Sequence, residues 1–475
     1  MSAFKPTDTA QFRAGAFVAL QDVRLQAALE GATDKFRRAR EAALAELPQA
    51  EAWRDHFKAI RAATLARLAE HLETFERQAT TAGAQVHWAR DGAEACALAL
   101  DIARAYGVTL VVKGKSMVSE EIELNAALAA AGIEAVETDL GEWIVQLAGE
   151  PPSHIIGPAI HKTRRQVAEL ISREVGRSLP ADDIQQLAAE ARGWLRRKFL
   201  TAGMGISGGN FLVAESGSLV LVENEGNIRL ATSAPRVHVA IVGLEKVART
   251  WDDAAVWLSL LARSATGQPL SVYTSIITGP ARQGDPDGPQ AVHIILLDNG
   301  RSRLLGGEYA EVLQCIRCGA CLNVCPVYRE AGGHAYGSPY SGPIGAVITP
   351  LLFGLEAYAG LPQASSLCGA CQVVCPVRID LPRLLLALRA EIVAQGHLPW
   401  AERQAENLAA ALLARPAWWR LATQAGRQLQ KPWVQDGQWH LPPRLDPAQG
   451  RGLPALAPCS FHALWEAGFS AETES

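Results

Sequence analysis

The sequence contains no long apolar run and no marked excess of charge of one sign. Its most weakly polar stretch, residues 344–360, is interrupted by Pro350, Gly354 and Glu356, so no membrane-spanning helix is predicted. The opening residues, MSAFKPTDTAQFRAG, lack the apolar core of a signal peptide. A formal net charge of -4 gives no basic surface for nucleic acid. We therefore expect a cytoplasmic protein that binds proteins or small molecules, with any membrane contact peripheral and at the inner face.

Cysteine is also scarce over most of the chain. Of nine cysteines, only Cys96 and Cys459 lie outside residues 315–375. We interpret Cys96 as a buried helix residue and Cys459 as a free thiol. Without a secretory signal, the clustered cysteines indicate metal binding in a reducing compartment rather than disulfide bonds.

The first cysteine run reads C-x2-C-x2-C-x3-C-P, which is the spacing of bacterial ferredoxins. The second run, aligned on its own Cys-Pro ending, has Ser365 where the first has its opening cysteine. In two-cluster domains the last cysteine of each run binds the other cluster. The sequence therefore predicts two iron–sulfur clusters with crossed ligands: Cys315, Cys318, Cys321 and Cys375 for cluster 1, and Cys325, Cys368 and Cys371 for cluster 2.

The missing cysteine leaves the type of cluster 2 open. Cluster 1 is predicted to be 4Fe-4S, whereas cluster 2 is either 3Fe-4S or a 4Fe-4S centre whose last iron takes Ser365, Cys459, water or a small ligand. Paired C-x2-C segments also bind zinc, so a zinc ribbon is the alternative. The third cysteine at the same spacing and the two Cys-Pro endings favour iron–sulfur clusters.

At 475 residues the chain is too long for one hydrophobic core, so several domains are expected. The first residues carry apolar positions at helical spacing, which we interpret as helices used for packing or docking. Strands then alternate with helices, which predicts a parallel sheet. The fold class is multidomain α/β plus α, with these segments: residues 1–80 (helical), 81–302 (α/β), 303–392 (helical two-cluster domain) and 393–475 (irregular, rich in Trp and Pro).

Two kinds of turn in the α/β segment bear on its fold and ligands. Residues 113–116 (KGKS) do not form a P-loop, because Thr109 occupies the position of its first glycine. They predict either an anion site or a loop whose serine caps the next helix. Glycine-bearing turns at residues 215–218 and 224–227 separate apolar runs and predict two successive hairpins.

Longer phrases of the sequence point to a family. They include VVKGKSMVSEEIELN, PPSHIIGPAIHK, NFLVAESGSLVLVENEGN, LLDNGRSRLLG, CIRCGACLNVCPVYREAGGHAYGSPYSGPIGAV and ASSLCGACQVVCPVRI. From about Thr80 to Leu385 the chain resembles the lactate-utilisation iron-sulfur protein B family. Ser365 in place of an eighth cysteine also fits that family's pattern.

The resemblance implies a lactate-utilisation domain, with a fold similar to the CoA-transferase and ribose-phosphate-isomerase type, followed by a helical two-cluster ferredoxin domain. It further implies the electron-carrying subunit, rather than the catalytic one, of a bacterial three-protein system that oxidises L-lactate to pyruvate. Its partners would be the companion subunits and an electron acceptor, either a protein or the quinone pool. The residues alone predict only electron transfer by two clusters beside an α/β domain of unknown ligand.

Two other functions remain open at this point. An iron of cluster 2 without a thiolate ligand could bind a 2-hydroxy acid as a Lewis acid, which would make the chain an enzyme. Alternatively, the α/β domain is a transferase or a small-molecule-binding module and the clusters are structural. Glu215 is the obvious candidate nucleophile for that role, but turns use such residues anyway, and we assign no catalytic residue.

Overall fold

The computed structural model describes residues 4–398, 400–440 and 453–468. The chain forms two compact units, the first ending at Gln395 and the second beginning at Gly396. The first unit holds a six-stranded sheet, a four-stranded sheet and both cysteine runs. The second holds helices and three short strands.

The first unit alternates helices and strands through its middle part. Its helices are α1 Thr9–Gln21, α2 Val23–Ala45, α3 Ala50–Ala66, α4 Leu68–Thr81, α5 Gly92–Ala105, α6 Met117–Glu121, α7 Leu124–Ala130, α8 Leu140–Ala148, α9 Arg164–Val175, α10 Ile184–Thr201, α11 Asn227–Ser233, α12 Trp251–Ala265, α13 Ala320–Asn323, α14 Pro326–Ala331, α15 Gly342–Phe353, α16 Ala370–Val374 and α17 Leu381–Ala394. Its strands are β1 Gln85–Ala89, β2 Leu110–Lys113, β3 Glu134–Glu137, β4 Met204–Ser207, β5 Phe211–Val213, β6 Ser218–Glu223, β7 Val237–Gly243, β8 Val247–Ala248, β9 Tyr273–Ile277 and β10 Ala291–Leu297.

The larger sheet is parallel throughout, as the alternation of strands and helices predicts. Its order is β1-β10-β7-β4-β2-β3. Strands β7 and β10 lie in its middle and are buried along their whole length. Helices cover both faces of such sheets, which explains why these strands are apolar apart from one histidine in each.

The four-stranded sheet, in the order β8-β5-β6-β9, confirms one predicted hairpin and corrects the other. Strands β5 and β6 pair antiparallel around Gly217, whose φ is +65°. The second turn leads into α11 instead of a strand. The carboxylate of Glu223 accepts hydrogen bonds from the N–H groups of Ile228 and Arg229, both at 2.7 Å, and so satisfies the free amides that begin a helix. Strand β6 therefore pairs with the distant β9.

The N-terminal helices pack into the same hydrophobic core as the rest of the first unit, as the packing interpretation predicts. Phe57 of α3 and Phe75 of α4 share that core with Trp257 of α12 and Tyr328 of α14. The rings of Phe57 and Trp257 lie 5.5 Å apart. These helices therefore contact both the α/β part and the part that carries the cysteines.

The second unit corrects the prediction of an irregular C-terminal region. Its elements are α18 Trp400–Leu413, α19 Pro416–Leu429, α20 Phe461–Glu466, β11 Val434–Gln435, β12 Gln438–Trp439 and β13 Leu453–Pro454. Pro416 occupies the first turn of α19, where its missing N–H costs nothing, so it starts a helix rather than breaking one. Pro442, Pro443 and Pro447 lie outside the described residues. Across the described part of the chain, no helix is both long and apolar enough to cross a membrane.

Candidate iron-sulfur site

Both cysteine runs adopt the same local structure. In each run a Cys-Gly-Ala-Cys segment turns at a glycine with positive φ, +73° at Gly319 and +80° at Gly369, and then enters a short helix. The residue before this segment is also left-handed in both, at 58° for Arg317 and 55° for Leu367. Only glycine adopts such angles without strain. The repeat of sequence is therefore a repeat of backbone conformation.

The structure brings the four residues predicted for cluster 1 together around one small cavity. We call Cys315, Cys318, Cys321 and Cys375 the first thiol set; all four line this cavity. The remaining lining is largely apolar and comes from Ile316, Ile344, Val377, Ile379 and Leu381. Cys375, from the second cysteine run, thus lies with three cysteines of the first run.

The other three predicted residues, which we call the second thiol set (Cys325, Cys368 and Cys371), also lie near one another. The charge of Cys368 raises the pKa of Cys325, the charges of Cys325 and Cys368 raise that of Cys371, and Cys371 in turn raises the pKa of Cys321 in the first thiol set. Cys368 is exposed, whereas Cys325 and Cys371 are buried. The two sets therefore lie side by side in the first unit.

Neither candidate for an extra protein ligand is singled out by the geometry. The hydroxyl oxygen of Ser365 accepts a hydrogen bond from the N–H of Leu367 at 3.2 Å, which is a local turn contact. Cys459 is half-buried in the second unit. Cys96 is buried in α5, as predicted, and its thiol donates to the carbonyl of Ile122 at 3.4 Å.

Burial controls the acid–base chemistry of most of these thiols. It raises the pKa of Cys318 and Cys371 to about 12 and that of Cys375 to about 11. The backbone N–H groups of Arg317 and Ile379 donate to the sulfurs of Cys315 and Cys375, both at 3.4 Å. Because a thiolate binds iron and a thiol does not, iron must displace protons to enter this site. The backbone amides then stabilise the thiolate sulfurs.

Five cations surround the first thiol set, and we call Arg40, Arg54, Arg61, Lys246 and Arg317 the cation shell. The guanidinium groups of Arg54 and Arg40 donate to the carbonyls of Cys375 (2.8 Å) and Val374 (2.6 Å). Arg61 is fully buried and donates to the carbonyls of Glu245 and Leu313, at 2.6 and 3.0 Å. The ammonium group of Lys246 donates to the carbonyl of Cys315.

Arg317 is the member of the cation shell whose guanidinium has the fewest hydrogen-bond partners. Its side chain is 11% exposed, and both terminal nitrogens lack a hydrogen-bond partner. Its guanidinium lies 4.7 Å from the ring centre of Tyr340, and 3.6 Å separate it from a carboxylate oxygen of Glu245. The proximity of Cys315 is the largest influence that raises its pKa against the effect of burial.

Behind the cation shell lies a buried ion network made of Glu121, Glu245 and Arg301. Arg301 donates two hydrogen bonds to Glu121, at 2.7 and 2.8 Å, and one to Glu245 at 2.7 Å. Each of the three side chains is at most 1% exposed. The hydroxyl of Tyr340 donates to the same Glu121 at 2.5 Å.

The balance of buried charge around the first thiol set shows whether these residues fit an iron–sulfur cluster. The cations Arg61, Lys246, Arg301 and Arg317 have Glu121 and Glu245 as their nearest buried carboxylates, and Asp253, which also acts on Arg61, is bound by Arg249. Positive charge is therefore in excess, although burial lowers the pKa of Lys246 to about 7. Unpaired buried charge is strongly destabilising. A cluster held by four thiolates is an anion and would balance the excess. The buried thiols, the amide donors and the surplus of positive charge therefore fit such a cluster.

Both lysine side chains of the KGKS turn bind other groups of the protein. The ammonium group of Lys113 is buried and contacts Ser119 (2.8 Å), Glu120 (3.0 Å) and Glu137 (2.8 Å). The ammonium of Lys115 donates to the carbonyl of Ile156 at 2.9 Å. Ser116 caps α6. These contacts favour the capping interpretation over an anion site.

The cation shell and the ion network are the parts of the site that sequence reasoning missed. Arg40, Arg54 and Arg61 come from helices for which the sequence predicts a role in packing or docking, and that prediction does not include a contribution to the site. Nothing distinguishes these arginines in the sequence from those on solvent-exposed helix faces. A partial signal was available for Arg317, because it lies between two predicted ligands.

Comparison with known proteins assigns both parts of the first unit. A family model described as LUD domain matches residues 72–297, and one described as 4Fe-4S dicluster domain matches residues 311–379, which include all seven clustered cysteines. The second match favours iron–sulfur clusters over zinc. A solved structure of a DUF162 family protein from Deinococcus radiodurans covers 48% of this chain and 98% of its own at 14% identity, but its TM-score of 0.27 is too low to support an argument.

Curated relatives match nearly the whole chain. Lactate utilization protein B of Geobacillus thermodenitrificans is 45% identical over 421 residues, which are 88% of each chain. The protein of the same name from Shouchella clausii is 42% identical over 453 residues, covering 94% of this chain and 95% of its own. This similarity confirms the resemblance expected from the sequence phrases. The chain, which joins a LUD domain to an iron–sulfur dicluster domain, therefore belongs to the lactate utilization protein B family.

Proposed function

We propose that this chain is the electron-carrying subunit of a system that oxidises L-lactate to pyruvate, working with companion subunits and delivering electrons to another protein or to the quinone pool. The printed name of its relatives, Lactate utilization protein B, supports the link to lactate. The observation that most directly supports electron transfer is that the two thiol sets lie side by side in one hydrophobic core. Adjacent centres of this kind suit electron transfer more than substrate binding.

In this proposal the first thiol set holds cluster 1 and the second thiol set holds cluster 2. Iron–sulfur clusters supply one-electron oxidation and reduction when bound. The apolar lining of the first cavity excludes water, and the N–H groups of Arg317 and Ile379 hold the sulfurs of their neighbours. Cys368 brings the second thiol set to the surface, where a partner can approach it.

The exposure of Cys368 also favours one alternative function. With three cysteines, the second thiol set leaves room for a further ligand at a position that small molecules can reach. A 2-hydroxy acid bound there would make this chain the catalytic subunit. This alternative predicts a direct effect of L-lactate on cluster 2 in the absence of any partner.

Spectroscopy of the isolated protein separates these possibilities. The full chain is purified without oxygen, its iron and sulfide are counted, and electron paramagnetic resonance spectra are recorded before and after chemical reduction, with and without L-lactate. We expect two reversibly reducible clusters and no change on adding lactate alone. A lactate-dependent change confined to cluster 2 would instead favour the catalytic alternative, and clusters that resist reversible reduction would favour a structural role.

A further inference from the structure

The two thiol sets differ sharply in the charge around them. Each member of the cation shell is at most 11% exposed, and each acts through charge on a cysteine of the first thiol set or donates to its backbone. Among the described residues, no cation is one of the principal groups that shift the pKa of Cys325, Cys368 or Cys371. The hydrogen bonds of Arg54 and Lys246 to the carbonyls of Cys375 and Cys315 place the cation shell against the first thiol set.

We propose that the cation shell sets the reduction potential of cluster 1 separately from that of cluster 2, and that Arg317 is its principal tuning residue. This inference rests on the proposed function, because it requires two reducible clusters. Reduction adds one negative charge to a cluster. A nearby cation in a region of low dielectric stabilises the reduced form more than the oxidised form, and so raises the potential.

Arg317 is the best placed member of the shell for this role. Arg54 and Arg61 satisfy backbone carbonyls, and Arg54 also forms a salt bridge with Glu51 at 2.8 Å. The terminal nitrogens of Arg317 have no hydrogen-bond partner, and its nearest carboxylate oxygen, on Glu245, is 3.6 Å away; the same oxygen also lies near Lys246, and Arg301 binds the other oxygen of this carboxylate. The terminal nitrogens of Arg317 are therefore not held by any backbone carbonyl, and the residue lies between two cysteines of the first thiol set in the sequence.

The chain supplies a matched control in Arg378. This residue also follows a cysteine of the first thiol set closely, and its φ of 50° resembles the 58° of Arg317. Its guanidinium, however, contacts the carboxylates of Glu51 (2.7 Å) and Asp55 (2.5 Å), and its side chain is 32% exposed. The same substitution at the two positions changes the backbone in a similar way. At position 317 it removes a positive charge without hydrogen-bond partners, whereas at position 378 it removes one that two carboxylates already neutralise.

The test is a potentiometric titration of the holoprotein followed by electron paramagnetic resonance. Arg317→Met should shift the midpoint of cluster 1 to a more negative potential by about 59 mV, which is about a tenfold change for a one-electron couple. The midpoint of cluster 2 should stay within about a third of that shift. Arg317→Lys should restore most of the wild-type value, and Arg378→Met should leave both midpoints unchanged.

The proposal is overturned if Arg317→Met retains both clusters and the midpoint of cluster 1 does not move, or if Arg378→Met moves it equally. If Arg317→Met does not take up cluster 1, the same titration is made on Lys246→Met. The midpoint of cluster 1 is then expected to shift to a more negative potential by the same amount. Failure of the proposed function is a different result, since the wild-type protein would then show no pair of reversibly reducible clusters to titrate.

Discussion

Cys321→Ala should remove cluster 1 and stop lactate-driven reduction of this chain. Cys321 is half-buried in the first thiol set, and its pKa, which burial raises, also responds to Cys318 and Cys315 of that set and to Cys371 of the second set. The other three cysteines that line the cavity are the ones proposed for cluster 1, so we expect none of them to replace it. We expect the iron content to fall by about half and lactate-driven reduction to fall by at least about 100-fold, since changing only an outer partner of a metal ligand typically costs about 10- to 100-fold.

The control for this variant is Cys459→Ala, which removes a half-buried cysteine of the second unit. Its iron content and lactate-driven reduction should match the wild type. Far-ultraviolet circular dichroism should stay unchanged in both variants, because the parallel sheet has its own apolar core. Full iron content in Cys321→Ala would contradict the ligand assignment, and loss of iron in Cys459→Ala would identify Cys459 as the missing ligand of cluster 2.

Arg301→Met should be among the most destabilising single substitutions in the chain. It would leave Glu121 and Glu245 buried without the guanidinium that neutralises both. Breaking a buried ion pair by removing one partner costs about 3–5 kcal/mol, because the remaining charge stays desolvated. Denaturant unfolding of the holoprotein, followed by circular dichroism and cluster absorbance together, measures this loss in the free energy of unfolding.

The neighbouring Arg303 provides the comparison for Arg301. It is exposed, so Arg303→Met should change the free energy of unfolding by less than about 0.5 kcal/mol. Adding Glu121→Gln and Glu245→Gln to Arg301→Met should recover part of the lost stability, because the uncompensated charges are then removed. A loss below about 1 kcal/mol in Arg301→Met would contradict the role given to this network.

The same network makes stability depend on pH in the acid range. Although burial opposes it, Arg301 and its neighbouring cations lower the pKa of Glu245 to about 2, and they also hold the pKa of Glu121 below its usual 4.5. A carboxylate with a lowered pKa contributes stability above its unfolded pKa and loses it as the pH falls through its folded pKa. The wild type should therefore lose stability between about pH 4.5 and 2, and Arg301→Met should lose less over this range.

The cysteine spacing predicted the grouping of seven side chains that are up to 60 positions apart, because the crossed arrangement follows from two copies of one local turn. The parallel sheet was predictable because strands alternate with helices along this part of the chain, which is typical of parallel sheets. The hairpin error at residues 224–227 arose because the Glu223 side chain satisfies the first amides of α11, and turn composition does not reveal such a contact.

Apart from Arg317, the cation shell could not be predicted, because its members come from distant parts of the chain. Arg40 and Arg61 lie on helices where arginine is a common surface residue, and Lys246 follows β7 in a short connection. Only tertiary packing brings these charges to Cys315 and Cys375. Sequence spacing identifies metal ligands, but it carries little information about the charges that the fold places around them.

The most direct test of the central proposal is lactate-driven reduction of this chain in the reconstituted system. The anaerobic protein is mixed with L-lactate, with and without its companion subunits, and both clusters are followed by electron paramagnetic resonance. The proposal predicts that lactate reduces cluster 1 and cluster 2 only when the companion subunits are present. Reduction by lactate alone would place the catalytic site in this chain, and no reduction under either condition would contradict an electron-carrying role in lactate oxidation.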